Sequence, residues 1–324
     1  MDKQKVIITR PIPEAGIKML RENGFEVIVS KHDRPIEREE LLSAVKGSNA
    51  ILSILTDKID EEVFSAAGPN LKIVANYAVG YDNIDLSAAK KHNVAVTNTP
   101  DVLTETVAEH TFALILAIAH RVAEGDRFTR AGKYHGWGPM MLLGNDVSRK
   151  TLGVVGLGRI GSRVAYHAVN GFGMKVLYYD IKRNEAFEKE SGAAFREKAE
   201  DVLKEGDFIS IHVPLLETTR HLVNKDKFKL MKKGAYLINT SRGPVVDEAA
   251  LAWALKNGII RGAALDVFEE EPKVHPDLVG LENVILTPHI ASATEETRGK
   301  MSEVAAVNII AALEGKIPPN RISI

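Results

Sequence analysis

The regular alternation of short apolar runs with helix-length amphipathic segments constrains the fold of this chain more than any other feature. In the first part of the chain the apolar runs are rich in β-branched residues and occupy 5–9, 25–30, 50–55, 72–76 and 94–98. Helix-like stretches lie between them, near 13–22, 37–46, 60–67 and 85–91. This succession of strand and helix is typical of a parallel α/β sheet with helices on its faces.

A second series of predicted strands makes up the later part of the chain. Its runs occupy 151–156, 175–180, 208–213, 235–240, 262–267 and 283–288. Strands this apolar on both faces are typical of the middle of a sheet that helices cover. A long helical pattern without proline, from 105 to 121 and onward, separates the two series. Another helical pattern, 294–313, follows the second series.

This order of elements predicts two domains of class α/β. At 324 residues the chain exceeds the usual ceiling for a single hydrophobic core. Because a terminal helix remains after the last strand of the second series, we predict that the second domain is inserted in the first. The expected architecture is two doubly wound parallel sheets: a flavodoxin-like substrate domain (1–100 and 290–324) and a Rossmann-type dinucleotide-binding domain (101–289).

Composition excludes several classes of function. Lys and Arg (42) nearly balance Asp and Glu (43), so the chain has no electrostatic reason to bind nucleic acid or an anionic membrane surface. The chain has no cysteine, which excludes disulfides and thiolate metal ligands, and we predict no metal site. The longest apolar segment, 112–119, is far shorter than the roughly 20 residues that span a bilayer. We expect a cytoplasmic protein.

The most specific local motif is a glycine-rich loop at the start of the second series. Gly156, Gly158 and Gly161 have the spacing G-x-G-x-x-G, directly after a predicted strand and directly before a predicted helix. The first glycine can make the tight turn, the second lets the backbone approach a pyrophosphate, and the third allows close helix–sheet packing. N–H groups at the helix N-terminus, near Arg159 and Ile160, would bind the phosphates. The motif predicts a dinucleotide site.

Asp180 ends the next predicted strand, 19 residues beyond Gly161. A carboxylate at this position accepts hydrogen bonds from the hydroxyls of the adenosine ribose and repels a 2′-phosphate, which favours NAD over NADP. Lys182 and Arg183 follow in the same loop and could bind that phosphate. A solvated loop is the simpler interpretation of these two residues.

Two polar residues follow strands of the second series, at the edge where ligands bind in open α/β sheets. Arg242 comes after the run 235–240 and precedes Gly243, and its planar guanidinium matches a carboxylate, although a surface ion pair is the alternative. His289 follows another strand, and imidazole can give and take a proton near neutrality. Reduction of a ketone by hydride transfer needs such an anchor and such a proton donor.

An acidic segment completes these candidates. Asp266 ends another predicted strand, and Glu269, Glu270 and Glu271 follow it. A carboxylate bonded to one ring nitrogen of His289 would fix the tautomer of the imidazole. Three adjacent glutamates are also typical of a solvated turn, and their spacing alone does not choose among them.

Four motifs, VVGLGRIG, NTSRGPVVDEAAL, GAALDVFEEEP and TPHIAS, resemble in order and spacing those of the D-isomer-specific 2-hydroxyacid dehydrogenases. The resemblance covers essentially the whole chain. It implies reduction of a small 2-keto acid to a D-2-hydroxy acid with NADH, the reduced form of NAD, while NADP remains an alternative. In this family the matching arginine, Arg242, binds substrate, Glu271 pairs with the histidine, and His289 is the acid/base. Asp266 would lie near the nicotinamide carboxamide.

The resemblance also assigns residues that the motifs alone do not single out. The segment NYAVGYDNID (76–85) is similar to the substrate loop of the family, where N–H groups near Val79 and Gly80 hold the substrate carboxylate. Further residues of the cofactor site would be Thr106, His212, Val213, Pro214, Thr219, Thr240 and Ser241.

Within the family, the N-terminal half and the segment KYHGWGPMMLLGNDVSRKTLG resemble glyoxylate/hydroxypyruvate reductases. In those enzymes the residue matching Leu55 lines the substrate pocket, and the tryptophan matching Trp137 reaches the active site of the neighbouring subunit. The helix 105–121 carries more apolar side chains than one core-facing stripe needs. We therefore predict a homodimer. NADPH-preferring reductases typically carry a small polar residue and arginine where Asp180 stands, so NADH is the expected cofactor.

Two other functions remain open on the sequence. A D-3-phosphoglycerate dehydrogenase would act on 3-phosphohydroxypyruvate, whose phosphate would need additional basic groups in the first domain. An NAD-sensing, corepressor-like binding protein can keep the same fold and the same catalytic residues. An assay for NADH oxidation with a keto acid separates an enzyme from a binding protein.

Overall fold

A computed structural model describes residues 3–323 of the chain. Its strands are β1 (Lys5–Ile8), β2 (Glu26–Val29), β3 (Ala50–Ser53), β4 (Ile73–Asn76), β5 (Ala95–Thr97), β6 (Thr151–Val155), β7 (Lys175–Tyr179), β8 (Ala194–Phe195), β9 (Phe208–Ile211), β10 (Tyr236–Asn239), β11 (Gly262–Leu265) and β12 (Val284–Leu286). Its helices are α1 (Glu14–Glu22), α2 (Arg38–Ala44), α3 (Glu61–Ala67), α4 (Leu86–Lys91), α5 (Thr104–Ala119), α6 (Val122–Arg130), α7 (Arg159–Phe172), α8 (Glu185–Ser191), α9 (Ala199–Glu205), α10 (Lys225–Phe228), α11 (Glu248–Lys256), α12 (Pro276–Val279) and α13 (Glu295–Leu313). The chain divides into two compact units, one formed by Met1–Leu103 with Ala293–Ile324 and the other by Thr104–Ser292.

The first unit is built on a five-stranded parallel sheet in the order β2-β1-β3-β4-β5. This is the flavodoxin-like doubly wound order. Strands β3 and β4 are buried along their whole length, as expected for a sheet that is covered on both faces. Helix α13 packs against α1 at Gly16, where a Cβ would lie 2.1 Å from the carbonyl oxygen of Ser302. The close approach of these helices therefore requires glycine.

The second unit is built on a seven-stranded parallel sheet in the order β12-β11-β10-β9-β6-β7-β8. The order runs outward from β6 in both directions, as in a Rossmann-type sheet with one additional strand. Successive residues of β6 point to opposite faces, so that Val154 belongs to the core shared with α5 and α7, while Val155 belongs to the core shared with α9 and α11. Ligands of such sheets bind beyond the carboxyl ends of the strands, where the order reverses. Here that point lies between β6 and β9.

The predicted fold class is confirmed, because both sheets are parallel throughout and the second unit interrupts the first along the chain. The sequence prediction lacked β8, whose two residues at the sheet edge are too few to form a pattern. The prediction of one long helix from 105 onward was wrong in one respect. The helix is interrupted at Arg121, which has a φ of 56°. The carbonyl of Ala119 accepts the N–H of Asn145 instead of a bond within the helix.

Between residues 3 and 323, no helix combines the length and the apolar character needed to cross a membrane. Within the same range, no cluster of three or more His, Asp or Glu side chains is arranged to hold a metal ion. That the first unit binds the substrate and the second unit binds the dinucleotide stays a prediction.

Candidate active site

The glycine-rich loop lies between β6 and α7, and each of its glycines has a separate steric role. Gly156 has a φ of 96°, and a Cβ on it would lie 2.7 Å from the backbone of His212. A Cβ on Gly161 would lie 2.0 Å from the carbonyl oxygen of Gly156, so α7 can pack on the loop only without a side chain there. At Gly158, by contrast, no atom lies within 4 Å of the Cβ position. The loop is open where a pyrophosphate would approach the backbone.

Helix α7 begins directly after this loop. Its N-cap is Gly158, which has no side chain to cap the first turn. The N–H groups of a first helical turn have no carbonyl to bond within the helix, and the helix dipole favours an anion beside them. In α7 this turn begins with Arg159 and Ile160, as predicted. The loop and the first turn of α7 fit the phosphates of a dinucleotide.

Asp180 follows β7, and its carboxylate is held against the glycine-rich loop. One oxygen accepts the N–H of Leu157 at 2.7 Å, and the other accepts the N–H of Lys182 at 3.2 Å. The half-buried carboxylate lies at the end of the strand next to β6, where ribose recognition is predicted. The Lys182 side chain is exposed, whereas the guanidinium of Arg183 is paired with Glu188.

His212 lies on the loop after β9, beside Gly156. Its Nε2 is 2.7 Å from the hydroxyl of Ser210. Burial lowers the pKa of His212 to about 3, so the imidazole is neutral at physiological pH. At the carboxyl edge of the sheet, His212 therefore packs against the glycine-rich loop and forms a hydrogen bond, but it carries no charge.

The remaining predicted cofactor residues lie on neighbouring segments of the second unit. The Thr219 hydroxyl donates to the carbonyl of Pro214 at 2.7 Å and closes the loop after β9. Thr240 follows β10, and its hydroxyl is 2.9 Å from that of Thr111 on α5. The others are Val213, which packs on the core, Ser241, which bonds to Asn239, and Thr106, in the first turn of α5.

His289 and Glu271 form a direct pair. Nδ1 of His289 is 2.9 Å from one oxygen of Glu271, and the other oxygen accepts the N–H of Phe268 at 3.1 Å. The structure therefore places Glu271 on the ring, rather than Glu269 or Glu270. Because the carboxylate accepts the Nδ1 proton, Nε2 is the ring atom left to exchange a proton with a substrate. Among the described residues, Nε2 has no hydrogen-bond partner.

Asp266 holds the turn that presents His289. This fully buried carboxylate accepts the Thr287 hydroxyl at 2.7 Å and the N–H groups of the two residues that follow His289 at 2.9 and 2.8 Å. Burial acts to raise the pKa of Asp266, but these bonds and the nearby His110 bring it below its usual range. The Asp266 carbonyl also accepts the N–H of His289, whose φ is 55°. Its predicted contact with a nicotinamide stays a prediction.

Arg242 follows β10 on a loop that rests directly on the acidic segment. A Cβ on Gly243 would lie 1.9 Å from the carbonyl carbon and oxygen of Phe268, so the two backbones meet only because this residue is glycine. The carbonyl of Arg242 accepts a side-chain N–H of Asn239 at 3.0 Å. The loops of Arg242 and Glu271 are therefore side by side at the carboxyl edge of the sheet.

A second histidine–glutamate pair, which the sequence did not predict, braces the same acidic segment. Nε2 of His221 is 2.5 Å from Glu269. The other oxygen of Glu269 accepts the N–H of Glu248 at 2.9 Å, and Glu248 in return accepts the N–H of Glu269 at 2.8 Å. Burial raises the pKa of Glu248. These reciprocal bonds attach the segment to the start of α11, and the run of three glutamates was its only signal in the sequence.

In the first unit, Val79 and Gly80 lie on the loop after β4. Side-chain N–H groups of Asn98 and Asn76 donate to their respective carbonyls, each at 2.8 Å. The N–H groups of Val79 and Gly80 have no partner among the described residues. Backbone donors held in this way suit an anion. Leu55 lies two residues beyond β3 and is half-buried.

A partly buried amide network, also missed by the sequence prediction, connects the loops after β3 and β4. The Asn83 side chain donates to the carbonyls of Ile54 and Asp57 at 3.1 and 2.9 Å. Asn76 donates to Asn83 at 3.0 Å and accepts the hydroxyl of Ser53 at 3.0 Å. The network fixes the position of the predicted substrate loop within its own unit.

Trp137 lies on the segment between α6 and β6 and is 81% exposed. Tyr134, Met140 and Leu143 of the same segment also have large exposed fractions. Their exposure in the single chain leaves the predicted role of Trp137 at a partner's active site as a prediction.

Comparisons with known proteins agree over the length of the chain. The family model for the NAD binding domain of D-isomer specific 2-hydroxyacid dehydrogenases matches residues 112–291. The chain is 52% identical to a glyoxylate reductase of Korarchaeum cryptofilum and 51% identical to one of Pyrococcus furiosus, in each case over 99% of this chain and 96% of that protein.

Solved structures give the same result. A protein of Thermus thermophilus has a TM-score of 0.92 and 42% identity, covering 99% of this chain and 100% of that one. An NADPH-dependent glyoxylate/hydroxypyruvate reductase of Sinorhizobium meliloti, in complex with NADP and malonate, has a TM-score of 0.86 and 31% identity, covering 99% and 97%. The chain therefore belongs to the family of D-isomer specific 2-hydroxyacid dehydrogenases and contains the NAD-binding domain of that family.

Proposed function

We propose that this protein reduces glyoxylate, and related small 2-keto acids such as hydroxypyruvate, to the D-2-hydroxy acid with NADH. The observation that carries the proposal is the 2.9 Å contact between His289 and Glu271, at the same sheet edge as the glycine-rich loop. Relatives named glyoxylate reductase, at 52% and 51% identity over almost the whole chain, support the choice of substrate.

The residues of the second unit divide the chemistry among them. NADH supplies the hydride when it is bound. As a hydride adds to the carbonyl carbon of the substrate, the carbonyl π bond breaks and charge develops on the oxygen, to which His289 donates the proton of Nε2. Glu271 holds Nδ1 and stabilises the protonated ring before the transfer. Arg242 binds the substrate carboxylate through its planar guanidinium.

Residues of the first unit recognise the substrate in this proposal. The N–H groups of Val79 and Gly80 donate to the substrate carboxylate. Asparagine side chains hold the carbonyls of these two residues, and their N–H groups have no partner in the described part of the chain. The side chain of Leu55 limits the size of the substituent at the keto carbon. A small 2-keto acid fits these features better than a bulky one.

Preference for NADH rests on Asp180. Its carboxylate is fixed beside the glycine-rich loop by the N–H of Leu157, so it can accept ribose hydroxyls and repel a 2′-phosphate. The similar Sinorhizobium meliloti enzyme is described as NADPH-dependent, and at 31% identity this is a property of that protein. We expect this chain to favour NADH and to use NADPH less well.

We also propose a homodimer, on grounds that differ in part from the sequence prediction. Most apolar side chains of α5, among them Phe112 and Leu114, are buried inside their own unit, so α5 itself has little apolar surface to spare. The exposed apolar residues lie on the following segment, around Trp137 and Met140. A second copy of the chain would bury this surface, and light scattering should then give about twice the chain mass of 35.4 kDa.

The decisive test is turnover by the purified protein. NADH and NADPH oxidation should be followed with glyoxylate, hydroxypyruvate, pyruvate and 3-phosphohydroxypyruvate, and the chirality of the product from hydroxypyruvate should be determined. We expect glyoxylate and hydroxypyruvate to have the highest kcat/KM and the product to be the D isomer. Preference for the phosphorylated substrate, or nucleotide binding without turnover of any keto acid, would contradict the proposal.

Matched variants test the roles of the pair. Glu271→Gln should lower kcat, because the neutral amide no longer stabilises the protonated ring, whereas Glu270→Gln, at an exposed neighbour in the same acidic run, should not. His92 forms a similar contact with Glu61, at 2.8 Å, in the first unit. His92→Ala should therefore keep full turnover and serves as the control for loss of a histidine–glutamate pair.

A further inference from the structure

The loop that follows Asp180 contains a basic residue, Arg183, whose guanidinium already forms an ion pair. The guanidinium of Arg183 donates to both oxygens of Glu188, from Nε at 2.9 Å and from Nη2 at 2.8 Å. Its carbon Cζ lies 5.7 Å from the ring centre of Phe195. A bidentate contact of this geometry is among the strongest that arginine makes with a carboxylate.

Glu188 is itself held in place by a buried phenol. The Tyr178 hydroxyl donates to Glu188 at 2.7 Å and accepts the N–H of Asn184 at 2.8 Å. Tyr178 lies on β7 and is fully buried. The Arg183 guanidinium and the Tyr178 hydroxyl lower the pKa of Glu188 to about 2. The carboxylate is therefore ionised at any working pH and stays attached to the end of the strand.

We propose that Glu188 is a specificity-determining residue for the cofactor: it holds Arg183 in an ion pair and so withholds from NADPH the cation that would otherwise neutralise a 2′-phosphate. This inference rests on the proposed preference for NADH and deepens it. Asp180 disfavours the phosphate directly through its charge, whereas Glu188 acts through Arg183. A basic residue in the loop after Asp180 is thereby compatible with NADH use.

The test measures nucleotide binding as well as turnover. Dissociation constants of NADH and NADPH are obtained by fluorescence titration of the full-length protein, with kcat/KM for glyoxylate measured in parallel. Glu188→Gln keeps the size of the side chain and removes its charge. We expect the ratio of the NADPH to the NADH dissociation constant to fall about tenfold, the value of one charge-assisted contact. Arg183→Gln in the Glu188→Gln background should restore the original ratio.

Two single variants serve as controls. Glu185→Gln removes a charge from the same helix, α8, without a hydrogen bond to Arg183, and should shift the ratio by less than about twofold. Arg183→Gln alone should leave the ratio unchanged, because the guanidinium is already occupied.

Several outcomes would overturn the inference. An equal shift in Glu185→Gln and Glu188→Gln would show that only general charge matters. Weaker NADPH binding in Arg183→Gln alone would show that Arg183 already serves the phosphate, and this result would overturn the inference even if Glu188→Gln does not fold. Failure to reduce any keto acid would refute the proposed function, yet the ratio of dissociation constants would still decide the role of Glu188.

Discussion

Replacing Gly243 with alanine is expected to damage the active site without changing a catalytic side chain. The added Cβ would lie 1.9 Å from the carbonyl carbon and oxygen of Phe268 and 2.5 Å from the nitrogen of Glu269. Since ordinary carbon contacts are near 3.5 Å, the two loops must separate by about 1.5 Å. The neighbouring atoms belong to a backbone that Glu248 fixes by hydrogen bonds. No side-chain rotation can therefore relieve the contact.

Two effects follow from this displacement. Overpacking against an unyielding backbone should lower the free energy of unfolding by about 1–3 kcal/mol. Because a misplacement of about 1 Å already costs about 10²-fold in rate, separating the Arg242 loop from the segment that holds Glu271 should lower kcat/KM for glyoxylate by at least about 10²-fold. Urea unfolding and steady-state kinetics measure the two quantities independently.

The opposite end of the same strand offers a matched control. Gly234 precedes β10, and no atom lies within 4 Å of its Cβ position. Gly234→Ala should change the free energy of unfolding by less than about 0.5 kcal/mol and leave kcat/KM unaltered. If Gly243→Ala behaved like this control, the contact between the loops would not position the active site, and the reasoning would be refuted.

Three further predictions concern single side chains. His289→Ala should lower kcat by about 10² to 10⁴, the usual contribution of a general acid, while fluorescence titration still detects NADH binding; normal turnover would remove His289 from the chemistry. Asp180→Ala should weaken NADH binding and increase the relative use of NADPH, because it removes a ribose acceptor and a repulsive charge. If the variant and the wild type had equal dissociation constants for both nucleotides, Asp180 would serve only to hold the backbone at Leu157. His212 is neutral in the folded protein because burial lowers its pKa to about 3. In the unfolded chain its pKa is that of a free imidazole, about 6.5. Below about pH 6.5 the unfolded chain thus binds a proton that the fold does not, and stability is lost as the pH falls toward about 3, by up to about 1.4 kcal/mol per pH unit. His212→Asn should show a shallower loss in urea unfolding between about pH 6 and about pH 4, and parallel curves for the two proteins would contradict this account.

Much of the fold could be predicted from the sequence because its signals are local. Strands such as β3 and β4 are apolar on both faces, so their burial in a covered parallel sheet was readable from a few consecutive residues. Boundaries agreed closely at the last helix, predicted over 294–313 and found at Glu295–Leu313. The break at Arg121 was not readable, because it depends on Asn145, which is distant in sequence.

The candidate site divides in the same way. The three glycines after β6 and the acidic residue after β7 occupy short segments whose spacing is set by the chain itself, and a strand–turn–helix unit places them without reference to the rest of the molecule. Resemblance to a known family then assigned Arg242, Glu271 and His289. By itself, the spacing of the three adjacent glutamates left the partner of the histidine open.

The sequence by itself therefore determined the architecture, the nucleotide loop and the identity of the candidate residues. Only the tertiary structure decided which side chains meet: Glu271 on His289, Glu269 on His221, and Glu188 on Arg183. The first two pairs join residues 18 and 48 positions apart, on loops that follow different strands, and the third depends on the turn that leads from β7 into α8. A hydrogen bond requires a donor–acceptor distance near 3 Å, and a difference of one residue in an acidic run moves a carboxylate farther than that. The periodicity that specifies strands and helices contains no information at this scale, because it fixes which face a residue occupies and not which atom it touches.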